Sequence, residues 1–195
     1  MAVVSIPDQN RRIEKADEIS AFLKPFGLWY EFWGVDGRVS ETSTDAEILS
    51  AYKPEIDRVM KDGGYTTVDV INVTAETPGI DALCEKFNKE HIHTEDEVRF
   101  CVKGRGLFHI HPKNGSVFSI ELDAGDMINV PKGTEHWFDL CKERNIKAIR
   151  FFQNKEGWTP HYVAEGVHTK YAPICWGPQY IPSGPKVELT TIKSA

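Results

Sequence analysis

The sequence has no excess of positive charge. Its 195 residues include 23 lysines and arginines against 29 aspartates and glutamates, which gives a formal net charge of −6. Nucleic-acid backbones and anionic membrane surfaces are bound through clustered lysine and arginine side chains. The charge balance therefore argues against both as the principal partner and favours a small-molecule ligand.

Long apolar runs are also missing. No window approaches eighteen consecutive apolar residues, and the start "MAVVSIPDQNRRIEKADEIS" has no apolar stretch between a basic flank and a cleavage site. A membrane span or a secretory signal peptide would need these features. We therefore predict a cytoplasmic protein without a membrane partner, and we expect a monomer.

Cysteine is scarce and widely spaced. The four cysteines form no CxxC pair, so neither a zinc knuckle nor a thioredoxin-type redox motif is indicated; they are Cys84, Cys101, Cys141 and Cys175. Free cysteine is commonly buried in folded proteins. We expect four reduced, mostly buried thiols.

The length and the 41% hydrophobic content suit one compact domain over residues 1–195. We divide it into N-terminal helices and first strands (1–90), a β-rich core (91–163) and an extended or partly disordered tail (164–195). The tail is rich in proline and has no periodicity.

Helical spacing of apolar residues dominates the first part of the chain. The run "DAEILSAYKPEIDRVMK" (45–61) predicts a helix with Asp45 as N-cap and a stop at Gly63 and Gly64, which Pro54 kinks or splits. A second short helix is predicted at "GIDALCEKFNKE". The β-branched stretch "YTTVDVINVT" between them predicts a strand.

After Glu90 the pattern changes to short strands separated by glycine-containing turns. The predicted strands are "VRFCVKG", "GLFHIH", "VFSIEL", "MINVP", "HWFDL" and "KAIRFFQ". Strands at this spacing predict a mainly β, antiparallel barrel or sandwich.

The stretch "HIHTEDEVRF" (91–100) concentrates titratable residues just before the first of these strands. We place this stretch on a strand, where alternation puts His91, His93, Glu97 and Arg99 on one face. The candidate fourth ligand, from a later strand, is His136. Buried imidazoles and a carboxylate are costly without a partner, and a divalent cation removes that cost by binding them. The sequence therefore predicts a metal site, and a mixed N/O ligand set suits Fe(II), Ni(II), Mn(II) or Zn(II).

The spacing HxHx3E, six residues and Gly104, then Gly125, five residues, Pro131, Gly133, two residues and His136, resembles the two cupin motifs. That resemblance implies a small jelly-roll β-barrel that binds one metal, with the N-terminal helices packed outside it. The cupin pattern often has asparagine where this chain has Leu140. A second histidine pair, His109 and His111, lies beside a hairpin turn, and we expect it to be solvated.

Four longer runs are similar to the acireductone dioxygenase family of methionine salvage: "AYKPEIDRVMKDGGYTTVDVINV", "LCEKFNKEHIHTEDEVRFCVKGRGLFHIHP", "GDMINVPKGTEHWFDL" and "AIRFFQNKEGWTPHYV". The resemblance implies cleavage of 1,2-dihydroxy-3-keto-5-methylthiopentene by O2. With Fe(2+) the family forms formate and 4-methylthio-2-oxobutanoate; with Ni(2+) as the alternative metal it forms 3-methylthiopropanoate, formate and carbon monoxide. Four protein ligands leave two octahedral positions for a bidentate enediolate.

Three further residues gain candidate roles from this resemblance. Arg99 is the candidate cation beside the bound enediolate and is our catalytic and substrate-binding candidate, the alternative being a salt bridge to Glu95 or Glu97. Phe138 and Trp158 match positions that line the substrate pocket, the alternative being core packing. Alternation turns Asp96 away from the site, so we assign no general base.

Other functions remain open at this stage. A different cupin dioxygenase normally has three histidines, so Glu97 argues against it. A sugar-phosphate isomerase would use the same four ligands without O2, but the sequence adds no basic cluster suited to a phosphate. A non-enzymatic metal-binding cupin would not need open metal positions beside Arg99.

Overall fold

The computed structural model describes residues 1–40, 42–154 and 159–177. In this part of the chain four α-helices are formed: α1 Ala16–Leu23, α2 Asp45–Ala51, α3 Lys53–Gly63 and α4 Ile80–Phe87. The strands are β1 Val3–Ile6, β2 Arg11–Ile13, β3 Trp29–Phe32, β4 Thr67–Val73, β5 His91–Ile92, β6 Glu97–Gly104, β7 Gly106–His111, β8 Phe118–Leu122, β9 Asp126–Val130, β10 Glu135–Asp139, β11 Ile146–Phe152 and β12 His161–Tyr162.

The strands form two antiparallel sheets that pack face to face. The larger sheet has the order β12-β5-β10-β7-β8-β1-β2, and the smaller one has the order β3-β9-β6-β11-β4. Phe108 and Ile120 of the larger sheet share one buried apolar cluster with Ile128 and Val130 of the smaller sheet. This confirms the mainly β, antiparallel jelly-roll prediction, and the six strands predicted after Glu90 are all present.

The smaller sheet is covered on its outer face by α2 and α3. Val98 and Phe100 of β6 pack there against Ile48 and Tyr52. Helix α2 begins after Thr44, whose side chain accepts a hydrogen bond from the Glu47 amide in a reciprocal capping box, so the N-cap lies one residue before the one predicted.

The predicted helix over 45–61 is split, as the proline indicated. Helix α2 ends at Ala51, and α3 restarts at Lys53 with Pro54 in its first turn, where a missing amide hydrogen costs nothing. Gly64 ends α3 in the left-handed conformation (φ 68°). None of the helices in the described ranges is both long and apolar enough to cross a membrane.

Two of the four cysteines are bonded, so the prediction of four reduced thiols was wrong. Cys141 and Cys175, 34 residues apart in sequence, form a disulfide, whereas Cys84 and Cys101 are free. The sequence spacing gave no sign of this pair because the tail brings Cys175 back to the loop after β10.

The tail runs as an extended segment over the described residues 163–177, along the outer face of the larger sheet. The Tyr171 hydroxyl donates to Asp8, and the amides of Trp176 and Gly177 donate to the buried Glu121 carboxylate. These contacts hold the described part of the tail, which includes a 3-10 turn at His168–Lys170, against the sheet. Residues 178–195 lie outside the described part of the chain.

Candidate metal centre

The stretch "HIHTEDEVRF" is not one strand, which corrects the sequence interpretation. His91 lies on β5 in the larger sheet, Glu97 begins β6 in the smaller sheet, and His93 lies in the connection between them. The chain thus crosses from one sheet to the other within six residues. The predicted ligands therefore do not share one face of a single strand. They come from both sheets and from the connection between them, and they lie where the two sheets meet.

The four predicted ligands are nevertheless brought together. His136 Nε2 lies 3.0 Å and His93 Nε2 lies 3.3 Å from Glu97 Oε2. His91 faces His136 directly across the β5–β10 pair, with their ring centroids 4.5 Å apart. The three histidines can each offer one nitrogen with all three nitrogens within 4.8 Å of one another. All four side chains are at most 3% exposed.

In all three imidazole rings, Nδ1 contacts a backbone carbonyl oxygen. The Nδ1 atoms of His91, His93 and His136 lie 2.6, 3.3 and 2.7 Å from the carbonyl oxygens of Lys89, Thr159 and Thr134. Because a carbonyl only accepts, each Nδ1 donates its hydrogen and each Nε2 keeps a lone pair. Such an outer hydrogen bond fixes the tautomer that binds metal.

The protonation states also suit cation binding. Burial, followed by the neighbouring His136, lowers the pKa of His91 to about 4, so that ring is neutral at neutral pH. Burial alone would raise the pKa of Glu97, but the adjacent Arg99 guanidinium, followed by the neighbouring His136 and His93 rings, outweighs it and holds the pKa well below its usual value. The cluster therefore offers the neutral imidazole of His91 and the carboxylate of Glu97.

A metal ion fits this cluster on the structure's own terms. The buried Nε2 of His91 has no hydrogen-bond partner among the described residues. A buried polar atom without a partner is costly, and three imidazole nitrogens with one carboxylate form a donor set for a divalent transition metal. The arrangement implies a metal site.

Arg99 lies two residues beyond Glu97 on β6. Its Nε donates to Glu97 Oε1 at 2.6 Å, and its guanidinium carbon lies 5.8 Å from the centre of the Phe138 ring. The salt bridge to Glu97, which we named as the alternative role of Arg99, is therefore present, and it joins Arg99 to the four predicted metal ligands. Asp96 points elsewhere, since its carboxylate accepts from the Lys132 amide and the Tyr65 hydroxyl.

A cavity of about 440 Å³ adjoins this cluster: Arg99 and Thr159, which contact Glu97 and His93, line the cavity together with Phe138. The four predicted ligands do not line the cavity themselves. Its other walls come from β4, α4, β11 and the loop after β10, which sequence reasoning did not connect with the site; they are Asp69, Ile71, Val73, Leu83, Cys84, Lys86, Phe87, Leu140, Ile146, Arg150 and Phe152. Trp158, the other predicted pocket residue, lies outside the described residues.

Of the second histidine pair, His109 is buried, contrary to expectation, whereas the His111 side chain remains 31% exposed. His109 is 3% exposed and stacks on Trp137 at 4.7 Å between ring centroids, while His111 Nδ1 lies 2.5 Å from the buried Glu90 carboxylate. The tail covers this face, because the Val167 amide also donates to Glu90. The hairpin position suggested exposure, but Trp137 and the tail, a segment distant in sequence, cover the face on which His109 lies.

Comparison with known proteins decides the family. The family model described as ARD/ARD′ matches residues 6–160. The chain belongs to the ARD/ARD′ family. Among curated members, acireductone dioxygenases from Picosynechococcus sp. and Bacillus thuringiensis subsp. konkukian are each 43% identical; they cover 80% and 83% of this chain and 89% and 100% of their own length.

A solved ARD/ARD′ family structure shares the fold over most of both chains. It is described as acireductone dioxygenase from Bacillus anthracis with a cadmium ion in its active center, and it is 40% identical with a TM-score of 0.76. The match covers 83% of this chain and 98% of that one. A metal ion in the active center of that relative agrees with the metal site that the buried histidine cluster implies here.

Proposed function

We propose that this chain is an acireductone dioxygenase that cleaves 1,2-dihydroxy-3-keto-5-methylthiopentene with O2. The observation that carries the proposal is the buried cluster of His91, His93, Glu97 and His136 beside a cavity, in a chain whose relatives carry this name. We further propose that the protein acts in the cytoplasm as a monomer.

We propose that His91, His93, Glu97 and His136 hold one metal ion, Fe(2+) or alternatively Ni(2+). When bound, such an ion supplies a Lewis acid and a template for a chelating enediolate. The outward Nδ1 hydrogen bonds of the three histidines support this role because they aim Nε2 into the cluster. The low pKa of Glu97 keeps its carboxylate ionised and available as a ligand.

The remaining residues act on the substrate. Arg99 places a permanent positive charge beside Glu97 and at the cavity wall, where it favours the deprotonated enediol. Phe138 and the neighbouring apolar side chains exclude water from the thioether tail. We assign Trp158 to the same pocket because of its match to the family pattern.

The proposed reactions conserve all atoms. Substrate and O2 together equal formic acid plus 4-methylthio-2-oxobutanoic acid, which requires cleavage of one carbon–carbon bond. The alternative products, formic acid, carbon monoxide and 3-methylthiopropanoic acid, require cleavage of two carbon–carbon bonds. In both reactions the substrate is oxidised, O2 is reduced, and no external reductant is consumed.

The direct test is anaerobic reconstitution of metal-free protein with Fe(2+) or Ni(2+) separately, followed by addition of substrate and O2. We expect the keto acid and formate from the iron form, with carbon monoxide only from the nickel form. His91→Ala should lose metal and turnover, whereas His161→Ala, at an exposed histidine of β12, should keep both. Oxygen uptake equal to the uncatalysed background with both metals would reject the proposal.

A further inference from the structure

On the facing sides of the two sheets, the side chains form successive rows along the strands. The first row contains the candidate metal ligands Glu97 and His136. On β6 the side chains facing the cavity side are Glu97, Arg99 and Cys101, because alternate residues share one face. Arg99 lies in register with Arg150 of β11, which in turn lies in register with Asp69 of β4. The next inward row consists of Cys101, Ala148 and Ile71. The surface thus changes from charged to apolar within one step of two residues.

The opposite wall, formed by β10 and the residue after it, has the same order. His136 contacts Glu97 at 3.0 Å, Phe138 lies beside the Arg99 guanidinium at 5.8 Å, and Leu140 packs on the apolar cluster that contains Cys101 and Ala148. Two strand residues span about 6.6 Å, so Leu140 lies roughly 13 Å along the chain from His136.

The apolar layer is lined by side chains that are only half-buried although they are large and apolar. Ile71, Leu83 and Leu140 all line the cavity and all remain partly accessible. Covering such a surface with an apolar group is favourable because it removes apolar area from water. The charged layer beside the metal centre and the apolar layer beyond it match a ligand with a polar head and an apolar tail.

We propose that Leu140 is a specificity-determining residue that sets the length of the substrate's tail. This inference rests on the proposed function, since it places the enediol at the layer of His136 and the thioether at the layer of Leu140. Leucine stands here in place of the asparagine common in the cupin pattern, and an apolar side chain at this point closes the cavity against longer or polar tails. The tail layer is completed by Ile71 and Leu83.

The test uses the metal-loaded enzyme and a series of acireductones whose tails are methyl, propyl, pentyl and heptyl. For the wild type we expect kcat/KM to rise about fourfold per methylene up to the length of the methylthioethyl group and to fall beyond it. Leu140→Trp should lower kcat/KM for the propyl and pentyl analogues at least about 30-fold through KM, and for the methyl analogue less than about twofold. Leu140→Ala should move the optimum to a longer tail.

Two further variants test whether side-chain polarity or a general loss of packing, rather than the accepted tail length, explains the effects of the Leu140 substitutions. Leu140→Asn keeps the branched shape and the number of side-chain heavy atoms, and it should weaken the longer-tailed substrates without moving the optimal length. Leu49→Ala removes the same atoms from a half-buried leucine on α2, away from the cavity, and should leave the tail preference unchanged. The same ranking should appear in anaerobic calorimetry with straight-chain 2-oxo acids, which tests binding without turnover.

The outcomes separate this inference from the function on which it rests. A wild type indifferent to tail length, or Leu140 variants that change all tails equally, would overturn the role of Leu140 while leaving the dioxygenase intact. If no acireductone is turned over but 2-oxo acids still bind with the expected length preference, the proposed function fails and the tail site stands. If Leu140→Trp does not fold, the alanine and asparagine variants decide.

Discussion

Arg99 contacts both Glu97 and the cavity, so its role can be separated from that of the metal ligands. We expect Arg99→Met to keep bound metal at wild-type stoichiometry and to raise KM about 10- to 100-fold, because it removes a charge-assisted contact worth roughly 1.5–3 kcal/mol. Metal analysis together with steady-state kinetics measures both quantities. Arg99→Lys, which keeps the charge without the planar fork, should recover part of the loss.

Loss of metal from Arg99→Met with unchanged KM in the remaining holoenzyme would contradict this role. It would mean that Arg99 serves only to hold the Glu97 carboxylate. The pKa of Glu97 makes this a genuine alternative, since burial raises it and Arg99 is the first of the contacts that lower it. The two outcomes therefore show whether Arg99, which lies 2.6 Å from Glu97, acts mainly on the substrate or mainly on the metal ligand Glu97.

Residue identities at the site could be predicted from sequence, but their geometry could not. The motif spacing selected His91, His93, Glu97 and His136 because it is set by the chemistry of the site, and the structure brings them together. Alternation failed for them because the chain leaves one sheet after Ile92 and enters the other at Glu97. Side chains alternate with a period of two only within one strand. The alternation therefore does not predict side-chain directions after the chain has passed from one sheet to the other.

Among the elements, the tail makes the most testable contribution to stability. Closing a loop of 34 residues with the Cys141–Cys175 bond removes about 3–4 kcal/mol of conformational freedom from the unfolded chain. We expect Cys175→Ser to lower the free energy of unfolding by that amount and to expose the His109 face to hydrogen exchange. Cys84→Ser, at a free half-buried cysteine, is the matched control.

Adding a reductant to the wild type should reproduce the effect of Cys175→Ser. Unfolding curves that coincide with and without reductant would show that the bond adds nothing. This prediction has a cellular consequence, because disulfides are rare in the reducing cytosol. In a reducing setting the tail is expected to be held by its hydrogen bonds to Asp8, Glu90 and Glu121 and by its ring contacts with Trp137 and Arg12.

Elements with strong local signals were predictable, whereas elements defined by distant partners were not. The split at Pro54 and the six strands after Glu90 follow from proline chemistry and from alternation between turns. Strands β1, β2 and β3 have three or four residues each, too short for a periodic signal, and they exist because β8 and β9 pair with β1 and β3. The two-residue β12 likewise depends on β5.

At the scale of the whole molecule, the candidate metal centre joins the two sheets. His91 and His136 come from the larger sheet and Glu97 from the smaller one, so an ion bound by all of them links both layers. A ligand that binds only the folded state stabilises it by about 2.7 kcal/mol at a free concentration 100 times its Kd. In a chain of this size each kcal/mol raises Tm by about 2–4 °C.

We therefore expect saturation with Fe(2+) or Ni(2+) to raise Tm by about 5–10 °C over the metal-free protein, as measured by anaerobic calorimetry. His91→Ala should abolish the rise, because the ion loses one of the ligands from the larger sheet. Arg99→Met should retain it, since Arg99 faces the ion only through Glu97. A Tm increase that persists in both His91→Ala and Glu97→Ala would place the stabilising metal ion at another site. It would contradict the claim that the ion joins the two sheets through these ligands.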